Sequence, residues 1–346
     1  MHVPEISICI CTFHRPGGLA KLLQSLQRLD PATPPYEVIV VDNDAQRSAQ
    51  SVAQQAGATA FDIRYVVEPI QSIARARTQS VRAARGNWIA FIDDDEEADP
   101  LWLVELWKQT QAGEVDAVFG TVVHLFESGA PEWIRSLYPT NERVTGQIVQ
   151  EWDAATNNAL VRRSAMLALG DLFSPDYGLT GGEDSELFHR MAQRGCCFVG
   201  SDAAITYELV PASRVTMLYL LRWWLTAGAA TCRIHYSNIS LWQFRKSLAR
   251  KAGLTIRYLA AGIAVLPITP RQGLRYLLRA AFEGGILFSK LTGKQLRRYR
   301  IRRGTAPVEA AGPACLSHAD ASTSAFSTDQ LQEVEACESV STERRD

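Results

Sequence analysis

The run Trp88-Ile89-Ala90-Phe91-Ile92 ends without transition in Asp93-Asp94-Asp95-Glu96. The apolar half reads as a strand buried on both faces, as in a helix-covered parallel sheet. In such sheets ligands collect just beyond the carboxyl ends of the strands. Carboxylates crowded there repel one another unless a cation or a donor-rich ligand holds them. Oxygen-only donors suit hard ions, Mg²⁺ or Mn²⁺, which usually arrive with a phosphate. The plain alternative is a solvated turn capping the next helix. Asp99-Pro100 already reads as an N-cap with proline at N1, which leaves the aspartate triplet over for a metal–phosphate site.

The flanking sequence supplies the rest of an α/β sheet. Ile6–Cys11, Val38–Val41, Ile63–Val67 and Ala117–Gly120 are apolar strands, and Leu19–Leu29, Ser48–Gln55, Ile73–Ala84 and Pro100–Gln111 are helices. This alternation predicts a mostly parallel sheet. From Thr121 to Thr156 the pattern loosens into Gly, Pro and scattered aromatics, as functional insertions do. Asn158–Val161, the helix Asp184–Gln193, and the strands Cys197–Gly200 and Ala204–Tyr207 complete the sheet.

After Met217 the chain is helical, aromatic and basic: Leu218–His235, Leu241–Arg250, Leu254–Ile268 and Arg271–Leu291, then the basic cluster Lys290–Arg303. Leu254–Ile268 is apolar apart from Arg257 and Tyr258, yet short of the roughly 18–20 residues that span a bilayer. A buried helix and an interfacial membrane helix stay open as its two readings. From Gly304 no hydrophobic period remains, which predicts disorder. The expected division is 1–215 as the α/β domain, 216–303 as a helical, basic region open to membrane association, and 304–346 as a disordered tail.

Composition narrows the function. A formal net charge of −1 argues against a nucleic-acid binder. Seven cysteines without a C-x-x-C pair suggest neither zinc nor a disulfide framework and fit a reducing cytoplasm. Met1–Glu5 has no signal-peptide character.

Two further motifs carry chemistry. Thr12-Phe13-His14-Arg15-Pro16 and Asp42 close the first two strands, at the same edge as the triple Asp if all run parallel. Asp42 can accept from a base N–H and Phe13 offers a stacking face, although ordinary turns look similar. Thr180-Gly181-Gly182-Glu183-Asp184 is a glycine-rich turn opening a helix, and a carboxylate there is either a general base or an N-cap.

Taken in order, Ile8–Pro16, Val40–Asn43, Ala76-Arg77, Ala84-Arg85-Gly86, Ile92–Asp95 and Gly181–Asp184 resemble the inverting family 2 glycosyltransferases of GT-A fold, which use nucleotide-sugar donors. Phe91–Glu96, Gly178–Asp184 and Tyr207–Pro211 resemble the bacterial succinoglycan-type exopolysaccharide glycosyltransferases. The resemblance implies a GT-A nucleotide-sugar-binding fold over 1–215, with 121–156 as an acceptor-side insertion. It implies Thr12, Phe13, Asp42, Arg77, Asp93 and Asp94 around the nucleotide, Asp93 and Asp95 on a divalent cation (Mg²⁺ or Mn²⁺), and Asp184 as catalytic base. Arg77 matches the arginine of an Ala-Arg-Asn signature in which Thr78 here replaces the asparagine.

The implied reaction moves a hexose, UDP-linked, to a saccharide or lipid-linked saccharide acceptor with inversion, in cell-surface polysaccharide synthesis. The implied place is the cytoplasm or the cytoplasmic face of the inner membrane. Tyr219-Leu220-Leu221-Arg222-Trp223 departs from the Gln-x-x-Arg-Trp of processive relatives, which implies single addition. Glu208 stands where many relatives carry histidine, and Arg214 is the cation available to serve the phosphates instead. Two other functions compete. A sugar-phosphate nucleotidyltransferase needs an early glycine-rich basic loop, for which Gly17-Gly18 with Arg15 and Lys21 is thin. A non-catalytic nucleotide-sugar-binding module has no need of Asp184.

Overall fold

Ile6–Thr12 (β1) is apolar at nearly every position because both of its faces are covered. Ile6, Ile8 and Ile10 point to one side, where they meet Leu19, Leu22, Leu23 and Leu26 of helix α1 (Pro16–Leu26). Cys9 points to the other side, with Ala74, Ala76 and Val81 of α3 (Ile73–Ala83). The two-residue period of a strand divides the core into these two layers. The computed structural model describes residues 4–299 apart from 60, 61, 128, 139–141 and 238. The expected tail 304–346, with Cys315, Cys337 and residues 300–303 of the basic cluster, lies outside the described residues.

In chain order the remaining elements are β2 (Tyr36–Asp42), α2 (Gln50–Thr59), β3 (Ile63–Val67), β4 (Trp88–Phe91), β5 (Glu96–Ala98), α4 (Trp102–Thr110), β6 (Ala117–Phe126), α5 (Glu132–Arg135), β7 (Ala159–Arg162), α6 (Arg163–Leu167), α7 (Glu183–Gln193), β8 (Phe198–Val210), α8 (Met217–Tyr236), α9 (Leu241–Val265) and α10 (Pro270–Thr292). One eight-stranded sheet runs in the order β3-β2-β1-β4-β7-β6-β8-β5. The block β3-β2-β1-β4 is parallel, so the carboxyl ends of β1, β2 and β4 share one edge, as the sequence predicts. Beyond it β7 runs antiparallel to both β4 and β6, β6 pairs parallel with β8, and β5 returns antiparallel.

The strands read as Cys197–Gly200 and Ala204–Tyr207 are one strand interrupted by a bulge. Gly120 pairs with Ser201 but Thr121 pairs with Ile205. Asn158, buried and in the left-handed region at φ 61°, fills the gap. Its amide donates to Thr121 O at 2.9 Å and Ala204 O at 2.8 Å, and its carbonyl accepts from Trp102 Nε1 at 2.8 Å. A Cβ on Gly120 would lie 2.3 Å from Asn158 Oδ1, so only glycine fits opposite.

The three C-terminal helices pack through glycine. A Cβ on Gly228 of α8 would meet Phe282 O at 2.0 Å, and one on Gly285 of α10 would meet Leu225 O at 2.1 Å. Leu241–Arg250 and Leu254–Ile268 prove largely continuous as α9, which buries only Phe244, Ser247, Lys251 and Gly262. Among the described residues no helix is long and apolar enough to cross a membrane.

Candidate active site

At the shared edge, Thr12 closes β1 and donates its hydroxyl to Asp94 Oδ2 at 2.8 Å. Arg15, at the N-terminus of α1, reaches Asp94 Oδ1 and Asp95 Oδ2, both at 2.9 Å. Arg214 pairs with Asp95 at 3.0 Å and with Glu208 at 3.1 Å, while His124 Nδ1 lies 3.1 Å from Glu208 Oε2. Arg77, buried on α3, bridges Asp93 at 3.0 Å and Glu183. Thus Thr12, Arg77, Asp93, Asp94 and Asp95 are brought together at this edge, with Arg15 and Arg214 beside them. The expected repulsion among the acids is relieved in part by the protein's own arginines.

That relief is incomplete. Burial lifts the Asp93 carboxyl above the usual range against the pull of Arg77. Burial also pushes Asp94 up to about 6, with Arg15 opposing. Glu96, buried beside Asp93 and Glu208, lies well above its ordinary value. Burial would raise Glu208 as well, but His124 and Arg214 hold it below the ordinary glutamate value. Crowded oxygen donors whose charged forms are disfavoured are what a divalent cation stabilises. The residues present therefore fit the expected metal.

Asp184 enters from a different direction. Gly181 and Gly182 adopt φ of 77° and 89°, a conformation that favours glycine and turns the chain sharply into α7. A Cβ on Gly182 would also lie 2.8 Å from Ala230 Cβ of α8. Asp184 in the first turn of α7 accepts from Ser185 N at 2.8 Å, and its charge is felt by Arg77 and Arg298. Its neighbour Glu183 is buried, which raises its carboxyl to about 7 although Arg77 opposes the shift.

Asp42 and Phe13 stand apart from this network. Asp42 is buried, and it accepts from Ala49 N at 2.8 Å, Tyr65 Oη at 2.7 Å and Asp44 N at 3.2 Å. Its carboxylate therefore shapes the turn after β2. Phe13 packs edge-on against His14, ring centres 4.4 Å apart. Nearby, Asp44 Oδ2 is buried without a hydrogen bond, 3.6 Å from His14 Nδ1.

Sequence reasoning missed several groups. In sequence Glu183 stands only as part of the glycine-rich turn, and its burial against Arg77 depends on a contact 106 residues away. The basic cluster after residue 290 also turns partly inward. Lys290 donates to Tyr236 O and Ile239 O. The amides of Arg298 and Tyr299 both donate to Leu179 O at 3.0 Å. Arg298 thereby lies across Trp223, 5.4 Å from guanidinium carbon to ring centre, next to the Gly181 turn. The excess of arginine was the available signal, but nothing in it distinguished an inward from an outward face.

Arg77 is the strut of the site. Arg77→Ala leaves buried Glu183 and partly exposed Asp93 without their cation, and breaking the buried Arg77–Glu183 pair in this way costs about 3–5 kcal/mol. The expected outcome is a matching fall in denaturant midpoint, measured by urea unfolding; an unchanged midpoint would mean that the pair is already hydrated.

Known proteins resemble this chain in sequence and in fold. The glycosyl transferase family 2 profile matches residues 7–170. The succinoglycan biosynthesis protein ExoM of Rhizobium meliloti is 30% identical over 311 residues, 87% of this chain and 97% of that protein. A mannosyltransferase of Pyrobaculum calidifontis, solved with GDP-Man and Mn²⁺, superposes with a TM-score of 0.58 at 18% identity, covering 85% of this chain and 89% of its own. TarS residues 1–349 of S. aureus, solved with UDP-GlcNAc, gives 0.50 at 15% identity over 87% and 95%. The fold is GT-A, a mixed α/β sheet followed by a helical C-terminal region. With a relative matched along nearly its whole length, and the profile covering the strands that carry Thr12, Asp42 and the aspartate triplet, the chain belongs to glycosyl transferase family 2.

Proposed function

We propose that this chain transfers a hexose from a nucleotide-sugar donor to a saccharide acceptor, with inversion at the anomeric carbon, in the synthesis of a cell-surface polysaccharide. One observation carries the reading: Arg77 ties the acidic edge of β4 directly to the turn that presents Asp184. A donor held at the first and an acceptor activated at the second meet on opposite sides of one bridge. The relatives support the chemistry, since one is named for succinoglycan biosynthesis and one was solved with a nucleotide sugar and Mn²⁺.

Asp93 and Asp95 would hold the divalent cation, which when bound neutralises charge on the departing diphosphate. Thr12 and Arg15 keep Asp94 oriented at the same edge. Arg214 is the cation closest in role to the histidine of relatives, because it already spans Asp95 and Glu208. Asp184 takes the proton from the acceptor hydroxyl on the far face of the sugar. A single displacement then needs no protein nucleophile. For the base, Asp44 Oδ2 is an acceptor that makes no hydrogen bond, facing His14 at 3.6 Å, whereas Asp42 serves the nucleotide by holding the turn. Phe13 lines the pocket beside His14.

The test is nucleotide release from UDP-glucose, UDP-galactose, GDP-mannose and dTDP-rhamnose, with and without Mn²⁺. Release from one donor, stimulated by the ion, is expected. No release from any donor, or release indifferent to EDTA, would overturn the reading.

A membrane surface fits α9. Trp242, Ile256 and Ile263 are 69%, 68% and 63% exposed, and Arg245, Lys246 and Arg257 flank them. An amphipathic helix of this kind lies in the headgroup region, where each basic residue adds about 1 kcal/mol on anionic lipid. It would hold the active site beside a lipid-linked acceptor on the cytoplasmic face of the inner membrane. The doubly substituted Ile256→Asp, Ile263→Asp protein is expected to lose sedimentation with anionic liposomes while keeping its circular dichroism. Equal sedimentation of both proteins would exclude α9 as the contact.

A further inference from the structure

We propose that Glu151, His189 and His235 form a second metal site, for a transition dication of the zinc class, that shares no residue with the acidic edge. One ligand atom from each of the three lies within 4.8 Å of the other two. They come from three separate parts of the chain: the short 3-10 turn Glu151–Asp153, the middle of α7 and the last turn of α8. Glu151 Oε1 is 2.8 Å from His189 Nδ1. The two imidazole ring centres are 4.7 Å apart with their planes at 76°. Two imidazoles on one tetrahedral zinc keep their ring centres about 5 Å apart, so the pair already stands near the spacing one ion imposes. The Glu151–His189 contact would widen by about half an ångström to admit the ion.

The surroundings suit ligation. Gln193 faces the opposite nitrogen of His189, Nε2, at 3.0 Å. Its amide oxygen and nitrogen exchange by a flip, so it can accept from Nε2–H and leave Nδ1 bare for the metal. All three ligands are half-buried, which leaves a fourth position to water. Two imidazoles and one carboxylate favour Zn²⁺ over Mg²⁺ or Ca²⁺. The cysteines take no part. The bound ion would fasten the end of the 121–156 insertion to α7, the helix that carries Asp184, and to α8.

Tag-free, full-length protein stripped with chelator and titrated with Co²⁺, a coloured stand-in for zinc, tests the site. One Co²⁺ per chain with visible absorption bands, displaced by Zn²⁺, is expected for the natural protein and equally for Asp95→Ala. The bands should vanish in His189→Gln and His235→Gln. Affinity should fall roughly tenfold or more in Glu151→Gln, the range set by other changes around bound metals. Bands absent from the natural protein, or lost with Asp95 and kept without the histidines, would overturn the proposal. Glu151→Gln, on a short surface turn, decides the matter if a histidine variant fails to fold by circular dichroism. Because Asp95→Ala removes the other ion, failure here is distinguishable from failure of the proposed transfer reaction.

Discussion

Asp95→Ala is expected to cut sugar transfer by roughly two to three orders of magnitude, the usual cost of losing charge stabilisation at a leaving group. The same variant should lose its response to Mn²⁺. Its fold should survive. Arg15 keeps Asp94 and Arg214 keeps Glu208, and Asp95 is partly exposed, so unfolding free energy should change by about 1 kcal/mol or less. Steady-state kinetics across a Mn²⁺ titration, beside a thermal melt, measure both quantities. A variant as active as the natural protein in EDTA would remove Asp95 from the metal.

Asp184→Asn is expected to lose roughly two or more orders of magnitude in kcat with the donor KM little changed. Asparagine preserves the shape and can still accept from Ser185 N, but it cannot take the acceptor's proton. The split between kcat and KM is the informative measurement. Weakened donor binding with turnover intact would make Asp184 a structural cap of α7. Glu183→Gln serves as a contrast: that neighbour is buried against Arg77, so its loss should appear in stability as well as in rate.

Much of this site was legible in the sequence because its acids mark the ends of regular elements. The triple Asp ends an apolar strand, and Asp184 follows two glycines that only a sharp turn requires. The parallel block β3-β2-β1-β4 was legible for the same reason, since strands buried on both faces read as unbroken apolar runs. What was not legible is the pairing. Arg15, Arg77 and Arg214 reach carboxylates 79, 106 and more residues away, and no local pattern encodes which arginine a folded chain turns inward. β5 was hidden inside the acidic run, because Glu96 and Glu97 become strand residues only by pairing with β8. Asp42 was legible as a turn acid, but its use by Ala49, Tyr65 and Asp44 emerges only once the turn is folded.

Asn158 gives positions 102, 120 and 158 a shared fate. Its side chain satisfies Trp102 Nε1 and the carbonyl of Ala204, and it occupies the space a Cβ at Gly120 would need. Replacing it alone strands a buried donor and a buried acceptor at once, and enlarging residue 120 alone ejects it. Single substitutions at these places are therefore strongly disfavoured, whereas a coordinated change of several need not be. Across divergent sequences of this fold, the three should drift together or stay still, so their joint identity is a better marker of an intact β6–β8 bulge than any one of them.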